Sequence, residues 1–213
     1  MKRICRLLAG GLTLALVFLC CAGAAAAQGF TDVGVDAWYR EAVTQCAAEG
    51  WLTGTGETEF APEGEVSLLD VLLALYRFAG APVVDAPAAD VPADYAAAVA
   101  WSLQHDLLTD AEQRALLPGT AVTREALVCL IWRYNEQIDP YIFSAPCIDI
   151  SPFADASECS PEAEHMVRYA QQVGLVEGRG DGLFCPQENA TRAETAQLLV
   201  RMAFNHRAQY TRP

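Results

Sequence analysis

One pattern occurs three times in this chain, with a constant spacing between its main positions. In each copy a valine inside an apolar segment stands 19 residues before a proline; the pairs are Val43 and Pro62, Val99 and Pro118, and Val167 and Pro186. A register kept through three copies indicates one supersecondary unit used three times. A unit of this size buries its apolar face only against its neighbours. The repeat therefore predicts a fold whose units depend on one another.

Each copy presents the same features in the same order. It opens near an aspartate, continues through a segment with apolar residues at steps of three and four, and passes through a loop into a second apolar segment. Steps of this size predict amphipathic helices. The second helix of each copy is predicted over residues 68–79, 124–135 and 192–206. The chain is therefore predicted to be mostly α, built from helix–loop–helix repeats.

A hydroxyl residue precedes each predicted second helix, namely Ser67, Thr123 and Thr191. Serine or threonine at this position accepts a hydrogen bond from a backbone N–H of the first turn. In the third copy Glu194 follows Thr191 by three residues and completes a capping box, whereas the second copy has Ala126 at that place. These residues predict where the second helices begin.

The first 27 residues are predicted to be a secretory signal peptide. Lys2, Arg3 and Arg6 form a basic start, residues 7–21 are apolar and uncharged, and residues 22–27 are small. A retained membrane anchor is the alternative, but the apolar run is short for a span. The predicted division of the chain is a signal peptide over 1–27 and repeats over 28–80, 81–140 and 141–213.

Cleavage of the signal peptide would make the chain strongly acidic. The mature chain would carry 11 arginines, no lysine and 27 acidic residues. Such a charge repels nucleic acid and anionic membranes, so neither is expected as a partner after cleavage. Every remaining side-chain cation other than histidine would be a guanidinium, which suits forked recognition of a carboxylate.

Five cysteines follow the signal peptide: Cys46, Cys129, Cys147, Cys159 and Cys185. The odd number leaves at least one of them unpaired or joined to another molecule, and the sequence leaves the disulfide state open. Neither these cysteines nor the three histidines have the spacing of a metal site. No nucleophile motif or paired catalytic carboxylates are found either, so no metal, no cofactor and no enzymatic activity are expected.

Several motifs together resemble the S-layer homology domain of bacterial cell-surface proteins. They are FTDV at residues 30–33, GWLTG at 50–54, FAP at 60–62 and ATRAE at 190–194. The resemblance covers all three copies, roughly residues 29–207, and is clearest in the third. The first copy has Leu68 where the signature has arginine, and the second has no glycine over residues 110–117.

The resemblance implies a pseudo-threefold, three-lobed helical domain. It also implies grooves between lobes that bind pyruvylated secondary cell-wall polysaccharide. A secreted protein would be held non-covalently at the cell wall or S-layer in this way. The deviations in the first and second copies motivate an alternative, a structural or protein-interaction module that has lost glycan binding and whose partner is another cell-surface protein.

Arg192 is the main candidate for ligand binding. It follows a helix cap, where the positive end of the helix dipole favours an anion and repels a cation. Its guanidinium and the helix start could bind an anionic sugar substituent together. Alternatively, it forms an internal salt bridge, for example with Asp155. Arg124 has the same position in the second copy.

The other candidate residues have both a structural and a binding interpretation. The opening aspartates would serve as turn or cap residues, or would accept sugar hydroxyls beside the arginines. Trp38 would pack in the core or stack on a sugar ring. Arg179 and Asp181 are expected to be solvated residues of a glycine-rich turn. The full predicted binding set is Arg192, Arg124, Asp155, Asp90, Asp32, Glu194, Trp38 and Gly180.

The signal-peptide prediction can be checked directly. We expect N-terminal sequencing of secreted protein to begin at or near Gln28, because the small residues before it suit a signal peptidase. Secreted protein that still contains residues 7–21 would contradict export with cleavage.

Overall fold

The computed structural model describes residues 29–85 and 90–210. The predicted signal peptide lies outside the described residues. Within them the chain is mostly helical, as predicted, with isolated β-bridges between loops. The α-helices described are α1 (Arg40–Glu49), α2 (Leu68–Phe78), α3 (Ala93–Gln104), α4 (Asp110–Arg114), α5 (Arg124–Gln137), α6 (Ala163–Gln172) and α7 (Arg192–Tyr210).

The caps of the second helices are confirmed. Ser67 Oγ accepts from the amide of Asp70 at 3.1 Å, and Thr123 Oγ1 accepts from the third residue of α5 at 3.3 Å. Thr191 and Glu194 form the predicted capping box, with distances of 3.2 Å and 2.9 Å. The starts of α2, α5 and α7 are therefore fixed by local side-chain chemistry.

The short helix α4 was not expected. It occupies the loop of the second copy, where glycines are missing. The Thr109 side chain accepts from the amide of Glu112, and the amide of Thr109 donates to the Glu112 carboxylate at 2.7 Å. The two bonds make a second capping box. Residues with ordinary helical dihedrals replace a glycine-rich turn here, since residues 110–117 contain no glycine.

Helices pack between copies of the pattern. Helix α2 of the first copy packs against α3 of the second, and α5 of the second packs against α6 of the third. Helix α7 of the third copy returns to pack against α1 of the first. The Cys46 thiol donates to the carbonyl of Ala196 across this last contact, at 3.4 Å. Each packed pair thus joins the second helix of one copy to the first helix of the next.

Three loop–helix junctions meet in a closed ring of backbone hydrogen bonds, called here the junction ring. The amide of Val66 donates to Ala190 at 2.9 Å, the amide of Ala190 to Val122 at 2.8 Å, and the amide of Val122 to Val66 at 3.1 Å. All three side chains are buried. The ring agrees with a pseudo-threefold arrangement; the three-lobed outline implied by the resemblance stays a prediction.

A single apolar cluster surrounds the junction ring. Phe60, Phe184 and Tyr134 are among its largest fully buried side chains, and residues of all three copies contribute to it. Within the described residues, no helix combines the length and apolar character needed to cross a bilayer.

Removing the third copy should abolish cooperative folding. A chain ending after Ile138 lacks α7, so α1 loses its packing partner and two of the three bonds in the junction ring are lost. We expect thermal unfolding followed by circular dichroism to show no cooperative transition. A sharp transition at the full-length melting temperature would contradict this dependence.

Candidate functional site

A groove of about 970 Å³ lies where α5, α7 and the loop before α7 come together. The start of α5 contributes Arg124, and α7 contributes Glu194 and Arg201. The loop supplies Arg179, and Trp38 of the first copy stands at the edge. We call this cavity the groove throughout. Segments far apart in sequence, around residues 38, 124 and 175–201, thus surround one site.

Arg124 is buried at the base of the groove. Its Nε donates to the carbonyl of Phe184 at 2.6 Å, and its Nη2 donates to the carbonyl of Glu177 at 2.8 Å. The guanidinium carbon lies 4.5 Å from the centre of the Phe184 ring, a cation–π contact. The remaining nitrogen, Nη1, contacts Glu194 at 2.6 Å. Burial lowers the pKa of Arg124, and Glu194 opposes that shift.

Glu194 is the carboxylate that joins the groups of the groove. It accepts from Arg124, from Nε and Nη2 of Arg179 at 2.7 Å and 2.8 Å, and from the amide of Thr191. Burial raises its pKa, but the hydrogen bonds from Arg179 and Thr191 and the charge of Arg124 more than offset this, so the net shift is downward. Glu194 is therefore a helix cap and a counter-ion at once.

Arg179 is a residue of the groove that the sequence interpretation missed. Besides its bonds to Glu194, its guanidinium donates to Glu188 and to the carbonyl of Asn189 at 2.8 Å. The pKa of Arg179 is raised, first by its hydrogen bond to Glu194. The glycine-rich turn that suggested a solvated loop positions it: Gly180 and Gly182 have positive φ values of 118° and 74°.

Arg192 repeats the contacts of Arg124 at another interface. Its Nε donates to the carbonyl of Phe60 at 2.8 Å, its Nη2 donates to the carbonyl of Thr53, and it lies 4.8 Å from the Phe60 ring centre. Burial lowers the pKa of Arg192, whereas the charges of Asp70, Tyr95 and Asp32 act in the opposite direction. The side chain thus contacts the loop of the first copy, and Asp155 is engaged elsewhere.

In the first copy, the position equivalent to Arg124 and Arg192 is the apolar residue Leu68. The amide of Leu68 donates to Thr120 at 2.8 Å, just as the amide of Arg192 donates to Gly64 at 2.9 Å. Leu68 therefore occupies the place of the arginine, and Ala126 has the place in the signature that Glu194 holds in the third copy. Leu68 and Ala126 thus replace both members of the ion pair that Arg124 and Glu194 form between the second and third copies. This leaves no unpaired buried charge, the costly outcome of losing one partner alone.

Two of the opening aspartates accept hydrogen bonds from backbone amides of the loops that the arginines contact. Asp155 accepts from the amides of Phe184 and Cys185 at 2.8 Å and 2.7 Å, and Asp32 accepts equivalent bonds from Phe60 and the residue after it. Burial opposes ionisation of both carboxyls, but these amides more than offset it and lower the pKa. Asp90 is exposed at the start of the second copy.

Trp38 is 63% exposed and lines the groove. Its ring meets Tyr39 edge to face, with 5.2 Å between centroids. The structure therefore brings Trp38, Arg124 and Glu194 of the predicted set to one groove, with Asp155 holding the loop beneath Arg124. Arg192 and Asp32 lie together at the equivalent interface, and Gly180 shapes the turn that carries Arg179.

None of the described cysteines lines the groove. Within residues 29–85 and 90–210, no group of three or more histidine, cysteine, aspartate or glutamate side chains is arranged to hold a metal ion. The cysteines described are thiols. Burial raises the pKa of Cys46 to about 12 and that of Cys129 to about 11, so neither is an activated nucleophile.

Residues 29–71 and 152–196 match the S-layer homology domain. These regions contain Asp32, Asp155, Arg179, Arg192 and Glu194. Arg124 and α4 lie outside both.

Longer proteins resemble most of the chain. An amylopullulanase of Thermoanaerobacterium thermosulfurigenes is 24% identical over 174 residues, and an endoglucanase of Bacillus sp. (strain KSM-635) is 26% identical over 172. The exoglucanase XynX of Acetivibrio thermocellus is 22% identical over 174 residues. Each alignment covers 80% of this chain but only 9%, 18% and 16% of those relatives, in the same order. The chain thus spans less than a fifth of their length.

Substituting Arg192 should destabilise the fold. Arg192→Gln cannot reach both the Phe60 and Thr53 carbonyls, and a buried acceptor left without a donor costs about 1–3 kcal/mol. We expect urea denaturation to show a loss of unfolding free energy in that range. Arg207→Gln is the control, because Arg207 is exposed and its nearest carboxylate is 3.8 Å away. Equal effects of the two substitutions would contradict the structural role of Arg192.

Proposed function

We propose that this chain is an exported, non-catalytic module that holds a protein at the cell surface by binding an anionic, pyruvylated secondary cell-wall polysaccharide. The groove is the proposed binding site, and the sequence repeats over residues 28–80, 81–140 and 141–213 are the proposed units. The single observation that carries the proposal is the groove with Arg124, Arg179 and exposed Trp38, in a chain that matches the S-layer homology domain. Domains of this kind generally bind cell-wall polymers.

The chemistry of the groove suits a sugar chain with an acidic substituent. Trp38 presents a large exposed aromatic face at the edge, on which a sugar ring can stack. The guanidinium of Arg179 lies within reach of solvent and offers charge-assisted hydrogen bonds to a carboxylate. Arg124 and Glu194 are held by several bonds each, so these groups are oriented before a ligand arrives. Such preorganisation reduces the entropy lost on binding.

The charge balance of the groove favours a second candidate, a module that binds another surface protein. Five glutamates line the groove with three arginines. Each of those arginines is already paired with a glutamate: Arg124 with Glu194, Arg179 with Glu188 and Glu194, and Arg201 with Glu177. An acidic polymer must therefore replace an existing partner. A protein surface with basic residues would meet the unpaired carboxylates instead.

Binding to cell-wall sacculi separates the two candidates. We expect the chain to sediment with purified sacculi of the producing organism, and to lose this binding once hydrofluoric acid has stripped the polymer from them. Equal sedimentation with stripped sacculi, or none with either, would contradict polysaccharide binding.

A matched pair of aromatic variants locates the site. Trp38→Ala should weaken sacculus binding by roughly tenfold, about 1.4 kcal/mol, because it removes the stacking face while leaving the core intact. Phe204→Ala is the control, since Phe204 is 72% exposed on α7 and lies outside the groove. If both variants bind like the unaltered chain, the groove is not the site.

A further inference from the structure

The two guanidiniums that share Glu194 differ in accessibility. Arg124 is buried, and its three nitrogens contact Phe184, Glu177 and Glu194. The Arg179 side chain is 27% exposed and lines the same groove. A ligand entering the groove therefore meets Arg179 first. Arg124 stabilises the site through the Glu194 carboxylate that both arginines contact.

The two carboxylates on Arg179 differ in the same way. The Glu194 side chain is only 15% exposed and is held by Arg124 and the Thr191 amide as well as by Arg179. The Glu188 side chain is 63% exposed, and among its described contacts the one ion pair is that with Arg179 Nη1. Glu194 is thus a fixed part of the fold, whereas Glu188 is an exposed carboxylate that contacts one nitrogen of the Arg179 guanidinium.

The backbone of Glu188 is held independently of its side chain. Its carbonyl accepts from the Arg124 amide at 2.9 Å, and its amide donates to the carbonyl of Cys185 at 3.2 Å. The side chain can therefore rotate away while the loop keeps its position. An ion pair this exposed contributes only about 0–1 kcal/mol, so a competing carboxylate can displace it.

We propose that Arg179 is the ligand-contacting guanidinium of the groove and that Glu188, as placed in this structure, occupies the position that the ligand's carboxylate takes on binding. This rests on the proposed function. With Glu188 in place, the charges of Arg124 and Arg179 are balanced by those of Glu188 and Glu194. When Glu188 leaves, one positive charge is uncompensated and receives one carboxylate of the polymer. Glu188 therefore lowers the affinity for acidic sugars and makes a neutral ligand, which cannot replace it, a weak one.

The test compares binding of Glu188→Gln, Arg179→Gln and the unaltered chain to polymer-bearing sacculi, with stripped sacculi as background. Glu188→Gln should bind about two- to fivefold more tightly, the factor that corresponds to an exposed ion pair. Arg179→Gln should bind more weakly, and adding Glu188→Gln to it should restore nothing. Glu57→Gln is the matched control: Glu57 is exposed outside the groove, and its loss changes the net charge equally.

Each outcome has one meaning. If the unaltered chain binds polymer-bearing sacculi and Glu188→Gln binds equally or less tightly, the competing role of Glu188 is wrong while the proposed function stands. If Glu57→Gln gains as much as Glu188→Gln, long-range charge explains the gain and the local role is wrong. If none of the proteins distinguishes polymer-bearing from stripped sacculi, the proposed function itself fails.

Discussion

The junction ring is the constraint on which the rest of the structure depends. Three backbone hydrogen bonds connect Val66, Val122 and Ala190, so residues more than 120 positions apart become neighbours. The second helices start immediately after these residues, and their directions follow from the ring. Because each second helix packs against the first helix of the following copy, the positions of all long helices follow as well.

A second set of polar contacts, made by side chains, also joins one copy to another. An opening aspartate accepts a hydrogen bond from the backbone amide of a buried phenylalanine, and the carbonyl of that phenylalanine accepts one from an arginine of another copy. The arrangement occurs with Asp155, Phe184 and Arg124, and again with Asp32, Phe60 and Arg192. Interfaces between copies are therefore built from the same guanidiniums that the sequence marks as binding candidates. We expect substitution of Arg124, which lines the groove, to affect stability and the proposed binding together, and substitution of Arg192, which lies at another interface, to affect stability. Trp38 and Glu188 are exposed, so their substitution tests binding with little effect on the fold.

The parts of the fold that depend on neighbouring residues could be predicted from the sequence. The second-helix starts and the Thr191–Glu194 capping box are set within four residues, and the structure confirms them. The partners of the arginines could not be predicted, since Arg192 and Phe60 are 132 positions apart and periodicity is local. Arg179 was missed because a glycine-rich turn favours solvent exposure, and only the tertiary position of Glu194 brings it inward. Helix α4 was missed because the missing glycines were interpreted as loss of a loop feature, not as a new helix.

The return of α7 to α1 also limits how such a protein can grow. In an open solenoid the end units need special polar faces, and further units can be added at either end. Here α7 packs against α1, so a unit added at either end would compete with a contact that the chain already makes within itself. Lengthening the array by a further unit would therefore require the contact between α7 and α1 to open first.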